Sequence, residues 1–218
     1  SMSIYGEGSY FCEKCAQEFH NVERTQEQID RKQWEPVCRN CKSILRPVPT
    51  KETKPLANSS VYAITKKNQE ELTLNVGQAY SIPSVALRFF NTYGPRQSLS
   101  NPYTGVAAIF MSRIKNNNDP LVFEDGEQSR DFVSVHDIVN GCMLAMEQKA
   151  ADYETFNIGS GSKTTIKQVA SELIETLGSK VAPKITGESR KGDIRHCFAD
   201  ITKIKSKLGY EPRITLKK

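Results

Sequence analysis

The chain contains no run of about 18 apolar residues, so no membrane-spanning helix is expected. No signal peptide is visible either, and the expected compartment is the cytoplasm. Lys and Arg number 30 against 25 Asp and Glu, giving a net charge of +5 and a pI near 8.8. No stripe of basic residues interleaved with aromatics accompanies that excess. A nucleic-acid partner is therefore not expected; the charge reads as solvated surface, part of which could face an anionic substrate. Internal repeats and low-complexity tracts are also absent. The 218 residues, with a hydrophobic fraction of 38%, fit one large domain or one domain plus a small module.

Four of the six cysteines form two knuckles, Cys12-x-x-Cys15 and Cys38-x-x-Cys41, with 22 residues between them. Each knuckle can supply two thiolates from one tight turn, which suits a closed tetrahedral zinc site of structural type. Two disulfides or four free thiols are the alternatives. The intervening stretch, Asn21 to Trp34, is polar and reads as a loop with a short helix. A lobe of so little apolar content needs a staple to fold. His20 is a spare ligand; Cys142 and Cys197 lack a partner motif and read as core or strand residues.

Beyond residue 50, strands and helices alternate, which indicates an α/β fold with a parallel sheet. Ser3 to Gly8 reads as a strand end and loop. Asn58-Ser59-Ser60 opens a helix to about Tyr80, with Leu72, Val76 and Ala79 as its apolar face. Val85 to Phe89 is a strand, Thr104 to Lys115 a helix and Leu121 to Phe123 a short strand. Ser134 caps an amphipathic helix to Gln148. Phe156 to Ile158 is a strand. Thr165-x-x-Gln168 is a capping box for a helix stopped by Gly178, and Asp200 caps a last helix ending at Gly209. His136 has no partner at ligand spacing and reads as structural.

Tyr62-Ala-Ile-Thr-Lys66 lies at the start of the first of these helices. A spacing of four puts both side chains on one face. An ammonium held near a phenol favours the phenolate, and such a phenol can exchange a proton with a sugar hydroxyl. The pair alone fits an ordinary exposed helix as well. Around it lie Ser1-Met2-Ser3-Ile4-Tyr5-Gly6, Arg88 to Arg96, Arg130-Asp131-Phe132 with Val135-His136-Asp137, and Phe156 to Gly159. In this order the motifs resemble the extended short-chain dehydrogenase/reductase family, the NAD-dependent nucleotide-sugar epimerases and dehydratases. The resemblance covers nearly the whole chain apart from residues 11 to 50.

The resemblance implies a partial Rossmann-type parallel sheet from residues 1–10 and 51–100. A zinc-ribbon-like insertion would occupy 11–50, and residues 101–218 would be mainly a substrate-binding subdomain. It implies Tyr62 as catalytic acid and base, Lys66 as its partner and nicotinamide-ribose ligand, and Ser1 as a hydrogen-bonding group to the reacting hydroxyl. Phe90 would lie beside the nicotinamide, although plain core is an equal reading. Asn91, Arg130 and Arg190 would hold the substrate diphosphate, and Leu121, Val122 and Phe123 would pack on its base. An arginine fork suits diphosphate, while a solvated charge is the alternative for Arg190. Family dehydratases carry acidic residues just after the Ser or Thr; Met2 and Ser3 stand there here, so 4-epimerisation through a 4-keto sugar is favoured. The inserted ribbon resembles that of the dTDP-L-rhamnose 4-epimerase subgroup.

The family's strand, Gly-rich turn and helix for the cofactor pyrophosphate do not precede residue 1. The expectation is a fragment that by itself is inactive, from a parent binding NAD and a dTDP- or UDP-sugar as a homodimer. A 4,6-dehydratase or reductase of the same family, and a non-catalytic zinc-ribbon scaffold, are the alternative readings. A nucleic-acid-binding ribbon is a weaker one.

Overall fold

The computed structural model describes residues 1–98, 105–190 and 192–216. Thr104, an expected helix start, lies outside them. The chain opens with a 3-10 helix over Met2–Tyr5, where a strand end was expected. Ser1 accepts a bond from Ser3 N–H, and Ile4 and Tyr5 are fully buried, so side-chain capping and burial favour one tight turn over an extended segment.

The cysteine-bearing segment follows, as β1 (Ser9–Cys12), β2 (Gln17–His20), α1 (Gln26–Asp30) and β3 (Arg46–Val48). Its strands form an antiparallel sheet in the order β2-β1-β3. The turn from β1 to β2 contains the first knuckle, and Ala16 there takes a positive φ. The second knuckle is closed by Lys42 N–H donating to Cys38 O and Cys38 N–H donating to Ser43 O. Tyr10, Phe19 and Leu45 pack with Cys12 and Cys38 into a small separate core. Such a core is too small to hold these residues alone.

The remainder runs through α2 (Val61–Ala79), β4 (Ala86–Phe89), β5 (Asn91–Tyr93), α3 (Val106–Lys115), β6 (Leu121–Val122), β7 (Ser129–Arg130) and β8 (Phe132–Ser134). It continues with α4 (Val135–Glu147), β9 (Thr155–Ile158), β10 (Thr164–Thr165), α5 (Ile166–Thr176), β11 (Lys184–Ile185), β12 (His196–Cys197) and α6 (Thr202–Leu208). Parallel pairs join β4 to β9, β5 to β8, β6 to β11 and β7 to β12, so the fold is mixed α/β with parallel sheet pieces. One apolar core gathers Phe90, Val133, Ile138, Phe156, Ile158, Ile204 and Tyr210. Another fills the space between α3 and α5 with Phe110, Ile114, Val122, Phe132 and Val169. Each fully buried Phe or Ile contributes roughly 1.5–3 kcal/mol.

Helix ends follow the local chemistry. Ser60 accepts from Ala63 N–H, Ser134 from His136 N–H, and Thr165 with Gln168 forms the full capping box. Asp200 accepts from Thr202 N–H but sits one residue outside the cap of α6, which Ile201 occupies. Gly209 closes α6 at a φ of 69°, where a side chain would be strained.

Two further expectations are corrected. Leu72 and Val76 of α2 are exposed at 64% and 48%. The buried positions on that helix are Ala63 and Gly77, because small residues allow the close approach to its neighbours. His136 is exposed rather than packed. Among the described residues no helix is long and apolar enough to cross a membrane.

Candidate active site

Tyr62 and Lys66 occupy the first turns of α2, whose placement is fixed by a buried polar chain. Arg88 on β4 donates through Nη2 and Nε to Glu70 of α2, at 2.6 and 2.9 Å. Its Nη1 donates to Tyr5 Oη at 2.7 Å, and that hydroxyl donates to Asn157 Oδ1 at 2.7 Å. Burial raises the Tyr5 pKa well above that of a free phenol, which keeps it protonated as a link in this chain. The motif tyrosine of the opening turn is thus a structural residue that holds α2 to the sheet.

Lys66 Nζ lies 5.5 Å from the centre of the Tyr62 ring and donates to Gln69 Oε1 at 3.1 Å. Tyr62, Lys66, Ser1, Phe90 and Asn91 all line one cleft of about 620 Å3. Phe90 is 4% exposed, belonging to the core and bordering the cleft at once. Ser1 Oγ lies 3.0 Å from Ser3 Oγ.

A neighbouring cavity of about 340 Å3 is lined by Asn91, Leu121, Phe123, Arg130 and Arg190. Asn91 therefore stands on the border of both spaces. Arg190 stacks its guanidinium 3.8 Å from the centre of the Phe123 ring, a cation–π contact that presents a flat, charged wall. Arg130 is 9% exposed. It donates to Ser129 O, Arg195 O and Ile194 O and pairs with Asp193 Oδ1 at 3.1 Å. Much of its donor fork is thus spent on backbone carbonyls.

Val122 is not brought to this cavity. It is fully buried between α3 and α5, because alternation along the strand sends Leu121 and Phe123 to one face and Val122 to the other. Gln128 was not anticipated. It lines the cavity, donates to Phe123 O at 2.9 Å, and its Oε1 meets no donor among the described residues. The buried Asn91 Oδ1 is in the same condition. Two such acceptors beside two arginines suit a ligand that carries both N–H groups and anionic oxygens. The available signal for Gln128 was its period-two spacing from Arg130.

The four knuckle cysteines converge, with all their Sγ atoms within 4.8 Å of one another. Cys12 Sγ is 3.4 Å from Cys41 Sγ, and Cys15 Sγ is 3.8 Å from Cys38 Sγ. None is disulfide-bonded. A tetrahedron with metal–sulfur bonds of about 2.3 Å has edges of about 3.8 Å, so the cluster fits that ion size. His20 stands apart from the cluster, next to Ser9 Oγ at 3.2 Å.

Residues 44–218 match the family model described as GDP-mannose 4,6 dehydratase. A dTDP-L-rhamnose 4-epimerase of Burkholderia thailandensis is 34% identical over 160 residues, 73% of this chain and 44% of the relative. The crystal structure of a UDP-glucose 4-epimerase from Thermotoga maritima with UDP-glucose is similar with a TM-score of 0.73 at 39% identity. That match covers 79% of this chain and 54% of the other. A UDP-glucuronic acid 4-epimerase from Bacillus cereus, in complex with UDP-glucuronic acid and NAD, is similar with a TM-score of 0.70 at 28% identity, covering 79% and 54%. The chain spans about half the length of the curated relatives it matches.

Proposed function

This chain belongs to the GDP-mannose 4,6-dehydratase family of nucleotide-sugar epimerases and dehydratases, and from that premise we propose that it serves a nucleotide-sugar 4-epimerase. The carrying observation is that the Tyr62 cleft and the arginine-walled cavity share Asn91. A nucleoside diphosphate held by Arg130, Arg190 and Asn91 would direct its sugar toward Tyr62. The base would lie against Leu121 and Phe123, with Gln128 Oε1 accepting from a ring N–H.

Tyr62 Oη takes the proton of the sugar 4-hydroxyl and returns it, with the Lys66 ammonium close to the ring. Ser1 Oγ, which lines the same cleft, would hydrogen-bond the same hydroxyl. Tyr62, Lys66 and Phe90 fit the nicotinamide half of NAD, which when bound supplies hydride acceptance and return. Diphosphate binding retains the substrate while the sugar presents its other face. Met2 and Ser3 offer no acid–base pair for loss of water, which supports epimerisation over dehydration. The likeness to a dTDP-L-rhamnose 4-epimerase and to UDP-sugar 4-epimerases supports a dTDP- or UDP-sugar substrate. Zinc on Cys12, Cys15, Cys38 and Cys41 would be structural, since a closed thiolate shell leaves no open position. The exposed α2 face fits a homodimer.

The test is Tyr62→Phe in the whole protein. Turnover should fall by 100-fold or more, within the usual range for removing a general acid–base group of ~10²–10⁴, while nucleotide-sugar affinity changes little. Near-normal turnover would remove the assignment. Metal analysis should give one zinc per chain, and detection of two disulfides instead would exclude the metal.

A further inference from the structure

The cysteine ribbon is joined to the rest of the chain by a buried ionic network that ends on the anion-binding cavity. Arg195 is fully buried. It donates through Nε to Glu35 Oε1 at 2.9 Å, with a second, shorter contact through Nη2. Its Nη1 reaches Glu124 Oε2 at 2.9 Å and Asp125 Oδ1 at 2.6 Å. His196 Nε2 lies 2.9 Å from Glu35 Oε2. From the ribbon side Arg24 donates to Glu124 Oε1 at 2.7 Å and to Asp193 O at 3.2 Å.

Each end of this network abuts a residue that lines the cavity. Arg195 O accepts from Arg130 Nη1, and Asp193 Oδ1 accepts from Arg130 Nη2. Glu124 is the chain neighbour of Phe123, on which Arg190 stacks, and Glu124 N–H donates to Glu188 O. The ribbon thus grips the Arg195 side chain, whose carbonyl accepts from Arg130, and the Asp193 carbonyl, whose side chain pairs with Arg130. Neither Arg24 nor Glu35 lines the cavity.

We propose that the ribbon is a brace for the diphosphate clamp, with Arg24 and Glu35 as positioning residues that set Arg130 and the 193–195 backbone for an anionic ligand. This rests on the reading of the cavity as a nucleoside-diphosphate site. The physical basis is that a buried guanidinium with several fixed partners has few alternative positions. Removing one partner leaves desolvated charge that must rearrange or admit water. A fork that is 1 Å out of place loses bidentate geometry to phosphate. The ribbon segment is too small to be rigid alone, so a metal held by the four cysteines would act in series with the ionic network.

Titration calorimetry of the full 218-residue chain with dTDP and with UDP tests this. Arg24→Met and Glu35→Gln should each weaken binding of whichever probe binds by about tenfold, at unchanged cysteine-bound metal content. Arg24→Lys should recover part of that loss, because it keeps the charge on Glu124 but not the fork. In an Arg130→Lys background the ribbon substitutions should cost less than about twofold, since the group they position has already lost its fork. A purely structural ribbon would give equal losses in both backgrounds, and that result overturns the inference. So does full affinity in the two variants, even in Glu35→Gln alone should Arg24→Met not fold. If the unsubstituted chain binds neither probe, the cavity reading falls and the inference with it; unchanged affinity in the variants overturns the brace alone.

Discussion

Glu35 and Asp125 share one guanidinium, and the balance of forces on each predicts acid sensitivity. Burial pushes the Glu35 carboxyl up, but its bonds from His196 and Arg195 outweigh that and hold it below the ordinary carboxylate range. Asp125 is likewise held down by Arg195 against the effect of burial. A carboxyl depressed in the folded state stabilises above its unfolded pKa, and the contribution is lost as pH falls through the folded value. Thermal midpoint should therefore drop as pH falls below about 4, starting near the ordinary Asp and Glu values. Glu35→Gln should flatten that acid limb; a parallel profile in the variant would show that the network does not control it. Arg130 belongs to the same scale. Its bonds to backbone carbonyls mean that substitution costs stability as well as ligand binding, a dual role invisible in the Arg-Asp-Phe motif itself.

At the scale of the element, α2 is the piece that presents Tyr62 and Lys66, and its packing depends on small residues. A Cβ on Gly77 would stand 2.3 Å from Ser84 Oγ and 2.9 Å from Ile82 O. The serine oxygen can turn away, but Ser84 Cβ at 2.7 Å and the backbone oxygen cannot without moving the loop before β4. Gly77→Ala gains helix propensity of roughly 1 kcal/mol and loses more to this crowding, since overpacking costs ~1–3 kcal/mol. The expected outcome is a lower thermal midpoint and weaker hydrogen-exchange protection along α2. A rise in the midpoint would show that the loop yields freely. Helix limits were mostly readable because caps are local chemistry: Ser60, Ser134 and Thr165 declare their helices. The face a helix buries is not local. Leu72 and Val76 carry the apolar spacing, yet Ala63 and Gly77 are the buried positions on α2.

At the scale of the whole molecule, the cofactor halves are unequally served. On the proposed function Tyr62, Lys66 and Phe90 would meet a nicotinamide, but the 218 residues contain no Gly-x-Gly-x-x-Gly turn to receive a pyrophosphate at a helix N-terminus. Calorimetry should therefore find NAD bound weakly or not at all by this chain alone, and dTDP or UDP bound more tightly than NAD. Micromolar NAD affinity would show that another part of these residues provides the phosphate site.

The sequence by itself determined the alternation of strands and helices, the cysteine quartet and the four-residue spacing of Tyr62 and Lys66. These are short-range regularities that backbone geometry converts directly into faces and turns. Tertiary structure alone decided that Met2–Tyr5 forms a 3-10 helix, that Val122 points into the core, and that Gln128 faces the arginines. It alone joined the ribbon to the cavity, because Glu35 meets Arg195 across 160 positions and Arg24 meets Glu124 across 100. No periodicity encodes such pairs; they exist because folding brings the two charges to one place, where the buried Arg195 and Glu124 are tolerable only with their partners.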